Sequence, residues 1–91
     1  MTLSVQTVAV IGSGIMGAGI AEVAASQGHP VLVYDIDAGA IARAIEGIRS
    51  RLASRVARGK LSAEASEKTL SRLTLVTDIQ ALAAADLVIE A

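Results

Sequence analysis

Apolar residues fall in two rhythms along the chain. Short continuous runs at 5–11, 31–34, 75–77 and 86–90 are rich in β-branched residues and bounded by Gly, Pro or Asp. They are too short for helices and predict strands, the first buried on both faces as in a parallel sheet. Between them, apolar residues recur every three or four positions. Residues 16–27 carry helical spacing with small Ala18, Ala21, Ala24 and Ala25, and Gly28 stands where a helix closes. Ile41, Ile45, Ile48, Leu52 and Val56 form one stripe behind Asp37, a good N-cap. Arg58-Gly59-Lys60 breaks that helix. Ser62 caps another, with Glu64 and Glu67 in its first turns and Leu70 and Leu73 on its apolar side. Asp78 caps a brief helix over 79–85.

The order β-α-β-αα-β-α-β predicts an α/β fold with a parallel sheet and helices on both faces. Right-handed crossovers give the strand order 3-2-1-4, with a helical hairpin between strands 2 and 3. Ninety-one residues make one domain at most, with no internal repeat or linker. The chain is 53% hydrophobic with a single aromatic residue, Tyr34, so its core is aliphatic and alanine-rich.

The first strand runs into Gly12-Ser13-Gly14-Ile15-Met16-Gly17 and then a helix. This G-x-G-x-x-G spacing is answered by Asp35 at the end of the second strand. The layout is that of a Rossmann-type dinucleotide-binding unit. Gly12 allows the tight turn, Gly14 admits a pyrophosphate to the backbone, and Gly17 lets the helix lie against the strand. The phosphates rest on amides at the helix N-terminus. Asp35 accepts from the adenosine ribose hydroxyls and repels a 2′-phosphate, which selects NAD over NADP. No G-x-x-x-x-G-K-[ST] segment is present, which excludes a P-loop.

Charge changes the picture in one place. Residues 43–60 hold six of the eight Lys and Arg, opposed locally only by Glu46, for a net +5 against −1 overall. This block is either a site for an anionic partner or a solvated helix face. The absence of cysteine excludes disulfides and thiolate metal sites, and no metal cluster can be assembled. No signal peptide or membrane span is legible at residues 1–21, so a soluble cytoplasmic protein is expected. His29, the only histidine, reads as a turn residue, and Met16 as a packing residue beside the glycine turn. Glu90 either lies at the nucleotide crevice or simply ends its strand, and Asp78 and Asp86 read as element boundaries. No catalytic acid–base pair is present.

Residues 8–21, Asp35, 58–61 and 86–91 together resemble the amino-terminal part of 3-hydroxyacyl-CoA dehydrogenases. The form G-x-G-x-M-G-x-G-I is much more specific than the bare glycine fingerprint, and the resemblance runs through essentially the whole chain. In detail it is nearest the bacterial 3-hydroxybutyryl-CoA and 3-hydroxyadipyl-CoA types, including that of phenylacetate catabolism. The resemblance implies NAD-dependent oxidation of a 3-hydroxyacyl-CoA to the 3-ketoacyl-CoA. It implies cofactor contacts at Gly12, Ser13, Gly14, Ile15, Met16, Gly17, Asp35 and Glu90, and CoA contacts at Lys60 and at Arg51 or Ser50. It makes residues 1–91 a partial NAD-binding domain. The family's catalytic histidine–glutamate pair and its helical dimerisation domain correspond to positions beyond Ala91. The partners implied are an acyl-CoA substrate and a second subunit, with no nucleic acid and no membrane. Two other readings stay open: another NAD-dependent hydroxy-acid dehydrogenase, or a non-catalytic nucleotide-binding module.

Overall fold

The computed structural model describes residues 6–91. Its elements are β1 (Val8–Ile11), α1 (Ile15–Ser26), β2 (Val31–Tyr34), α2 (Ala38–Ala57), α3 (Ala63–Ser71), β3 (Leu73–Val76), a 3-10 helix (Ile79–Ala84) and β4 (Leu87–Glu90). The four strands form one parallel sheet in the order β3-β2-β1-β4, as the crossover rule requires. Val8, Val31, Leu73 and Leu87 stand in line across it. The first strand begins at Val8, and the predicted start at Val5 lies outside the described residues.

All three α-helices cover a single face. Val8, Val10, Val31, Val33 and Leu73 point from the sheet into a core closed by Ala21, Ala25, Ile41, Ile48 and Leu52. The other face carries Ala9 and Val76 under Leu82 of the 3-10 helix, with Tyr34 and Leu32 alongside. The expectation of helices on both faces is thus met on one side only by a 3-10 helix of six residues. The reason is directional. The β1–β2 and β2–β3 crossovers run the same way along the sheet, so their right-handedness puts both on one side, and only the return from β3 to β4 crosses the other.

The α2 stripe is buried as predicted, with Ile41, Ile48 and Leu52 at 1% exposure or less. Each such side chain contributes roughly 1.5–3 kcal/mol. Both long helices close by the same device. Gly28 and His29 donate to Ala25 and Ala24, and Gly59 and Lys60 donate to Val56 and Arg55. These are Schellman closures, and at Gly59 the required φ is +71°. β3 starts two residues earlier than predicted, so Leu73 belongs to the sheet and not to α3. Arg72 caps α3 and its guanidinium donates to the Ala25 carbonyl, which turns Leu73 into register with Val31.

β4 pairs with β1 alone, and Leu87 and Val88 on it are half exposed. Beside them Ile15, Met16, Ile20, Val23 and Ile89 line an open apolar groove. An unpaired strand edge is a template for other chains. The isolated chain is therefore expected to sediment as concentration-dependent oligomers. A single monomer species across a wide concentration range would contradict this.

Candidate dinucleotide site

The glycine turn is built by close packing at the carboxyl end of the sheet. Gly12 sits at φ +99°, a conformation L side chains rarely adopt, and its amide donates to the Tyr34 carbonyl at 2.8 Å. A Cβ on Gly12 would lie 2.7 Å from the Ala91 carbonyl oxygen. A Cβ on Gly17 would fall inside the Gly12 carbonyl group. Gly14 differs: a Cβ there meets no protein atom within 4 Å. Whatever excludes a side chain at Gly14 is therefore not this chain's own packing.

α1 begins directly behind Gly14. Its N-cap has no side-chain hydrogen bond and its first turn has no acid. The first intrahelical bond runs from the Ala18 amide to the Gly14 carbonyl. The amides before it point beyond the sheet with the positive end of the helix dipole. That is an anion cradle left open by the protein's own groups.

Asp35 stands beside the glycine turn, tied to it by hydrogen bonds. Its Oδ2 accepts from the Ser13 amide at 2.8 Å and from the Ser13 hydroxyl at 2.9 Å, and its Oδ1 accepts from the Asp37 amide at 2.9 Å. The Asp37 amide most, then the Ser13 amide and hydroxyl, hold the carboxyl below its ordinary value; desolvation opposes them and the Arg43 charge adds to them. Oδ2 takes two bonds and Oδ1 one, so Oδ1 keeps an open acceptor position for a ribose hydroxyl. The buried Ser13 thus pins the acid to the glycine turn, a role beyond the cofactor contact that the resemblance implies for it.

Glu90 stands opposite Ile11 at the end of β4, beside the turn. Ala91 follows it, with its amide donating to the Ile11 carbonyl at 2.9 Å and its Cβ facing Gly17. Met16 does not pack as predicted: it is 71% exposed, because the helix start projects past the sheet, and Ile15 beside it is exposed as well. His29 lies at the far end of the strands, its Nδ1 3.0 Å from the Gln6 carbonyl, well away from the turn. Asp86 accepts from the Thr7 amide and Asp78 from the Gln80 amide, so both are boundary residues as read.

All six cations of the basic block are exposed, and four of them also make ion pairs. Arg51 Nε lies 2.8 Å and Arg55 Nη2 3.7 Å from the carboxylate of Glu22, whose side chain is 8% exposed in α1. Arg43 pairs with Asp37 and Arg49 with Glu46. Glu46 is the only acid within the block itself, and the hairpin folds back on α1 and brings Glu22 to it from outside. Among the described residues Arg58 and Lys60, at the hairpin tip, have no ion-pair partner. Arg51 and Arg43 line a groove of about 590 Å³ that opens at Ser13, Gly14 and Ile15. Ser50 is exposed on α2 and Lys60 lies beyond its end, and neither lines the groove. Glu22 had one visible sign, as the only charge in an alanine- and glycine-rich helix.

Comparison with known proteins decides the family. The description "3-hydroxyacyl-CoA dehydrogenase, NAD binding domain" matches residues 7–91. The chain belongs to the 3-hydroxyacyl-CoA dehydrogenase family. It is 74% identical over all 91 residues to a 3-hydroxyadipyl-CoA dehydrogenase of Escherichia coli K12, of which it spans 19%. It is 39% identical over 90 residues, 99% of the chain, to a 3-hydroxybutyryl-CoA dehydrogenase of Bradyrhizobium diazoefficiens, of which it spans 31%. The crystal structure of 3-hydroxybutyryl-CoA dehydrogenase from Escherichia coli K12 superposes with a TM-score of 0.93 at 75% identity, covering 97% of this chain and 19% of that one. As the NAD-binding domain of a 3-hydroxyacyl-CoA dehydrogenase, the chain has a turn that fits the cofactor on its own geometry. The Gly14 opening and the bare α1 amides suit the pyrophosphate, and Asp35 suits the ribose.

Proposed function

We propose that this chain supplies the cofactor half of an enzyme oxidising (S)-3-hydroxyacyl-CoA to 3-ketoacyl-CoA. NAD, when bound, supplies the hydride acceptor. The chain's own residues bind and orient it: the amides at residues 14–17 hold the pyrophosphate, Asp35 holds the ribose, and Ser13 fixes Asp35. Glu90, at the end of β4, borders the same crevice. The catalytic histidine–glutamate pair and the helical dimerisation domain belong to further sequence, and the whole enzyme is a homodimer. The acyl-CoA lies along α2 and the hairpin, where Arg51, Ser50 and Lys60 are its candidate contacts. Coenzyme A is an anion with several phosphates, and the hairpin is the most basic part of the chain. The names of the relatives favour short acyl chains, and phenylacetate catabolism is the pathway proposed. The protein is proposed to be cytoplasmic; no described helix is long and apolar enough to cross a membrane.

The observation that carries this reading is the Asp35 carboxylate tied to the glycine turn with an acceptor position open. Calorimetric titration with NAD, NADP and CoA tests it. NAD and CoA are expected to bind, and NADP at least about tenfold more weakly than NAD. Asp35→Asn is expected to weaken NAD and to narrow that ratio. Equal affinity for NAD and NADP in the parent chain would overturn the assignment of Asp35.

A further inference from the structure

Glu22 is the one charged side chain of α1 and it lies buried against α2. Its partners do not share that burial. Arg51 and Arg55 are about half exposed, so the acid sits inside the interface and the guanidinium groups reach outward from it. A buried ion pair of this kind is weak evidence for stability, since apolar residues of similar volume pack as well. What it fixes is direction.

Arg51 spends one donor on Glu22, from Nε at 2.8 Å. Its Nη1 lies back over Gly47, 3.5 Å from where a Cβ would stand. Guanidinium carries five N–H donors, and no other hydrogen bond of Arg51 to the described residues is formed. The free fork therefore faces the groove that runs between α1 and α2. Ala18, Gly19, Ala40 and Ala44 line that groove without filling it. Its other end is the bare start of α1 at Gly14.

We infer that Glu22 is a positioning residue for the acyl-CoA ligand, holding the Arg51 fork in the groove to receive one of its phosphates. The inference rests on the acyl-CoA reading above. Glu22 touches no ligand itself. It sets the angle of Arg51 from the same helix whose first turn receives the dinucleotide.

A double-mutant cycle on the 91-residue chain tests this, with CoA and NAD titrated separately by calorimetry. Glu22→Ala and Arg51→Ala are each expected to weaken CoA roughly tenfold, the effect of one charge-assisted hydrogen bond at a half-exposed site. The double variant is expected to lose no more than Arg51→Ala alone. NAD affinity is expected to stay within about twofold, because the loss belongs to the Arg51 end of the groove. Should Glu22→Ala melt too early to titrate, Glu22→Gln keeps the volume and is expected to lose roughly threefold for CoA. CoA binding that Glu22 variants leave unchanged, or losses that simply add, would overturn the positioning role while leaving the acyl-CoA reading intact. A parent chain that binds NAD but not CoA would overturn both.

Discussion

Gly17→Ala is expected to abolish cooperative folding or to lower the melting temperature by more than about 12 °C, from a cost of at least ~3 kcal/mol. The added methyl would overlap the Gly12 carbonyl, which is backbone and cannot swing away. Gly12 is itself held at φ +99°, by the hydrogen bond its amide donates to the Tyr34 carbonyl and by the Ala91 carbonyl packed against it. Relief would require α1 to lift from β1, which would uncover Ala21 and Ala25 in the core. Thermal unfolding followed by far-ultraviolet circular dichroism measures this directly. A variant melting within about 4 °C of the parent, a loss under ~1 kcal/mol, would mean that the helix yields easily and that close packing is not the task of Gly17.

Gly14→Ala is expected to do the opposite: keep the fold and lose the cofactor. Gly14 has φ −67°, which alanine adopts readily, and its Cβ would meet nothing in the chain. The cost to folding is that of a poorer N-cap, about 1 kcal/mol at most. The new methyl would stand over the α1 amides, where a pyrophosphate must come close. NAD affinity is expected to fall at least about tenfold with the melting temperature nearly kept. Undiminished NAD binding by a folded Gly14→Ala chain would remove the pyrophosphate from this turn. The two glycines lie three residues apart in one motif, yet a Cβ on one collides with the protein's own backbone and a Cβ on the other meets nothing.

The sheet order and the three helix caps were legible because each rests on local chemistry. Asp37, Ser62 and Asp78 all accept the amides that their positions call for. The start of β3 was not legible, because Leu73 suits the apolar side of α3 as well as a strand. Only the long-range anchor from Arg72 to the Ala25 carbonyl decides between them. The site divides the same way. Gly12, Gly14, Gly17 and Asp35 carried their meaning in spacing. The link from Ser13 to Asp35 spans 22 residues and that from Glu22 to Arg51 spans 29, distances at which residue type alone does not say which groups meet. The exposure of Met16 was missed for a related reason: an apolar residue in an apolar helix gives no sign of which face stays uncovered.

The central strand has a particular history during synthesis. β1 is made well before the strand that completes its β4 side: the Thr7 amide meets Asp86, 79 residues on, and the Ile11 carbonyl waits for the amide of Ala91. At about 5–20 residues per second, roughly 4–16 s pass between the two ends. Over that interval the apolar residues of β1 and the unformed nucleotide turn are open to chaperones, and closing so long a loop makes the final pairing slow. A nascent chain of this protein therefore closes its glycine turn only once Ala91 has been made, and NAD binding is expected to follow the synthesis of that residue.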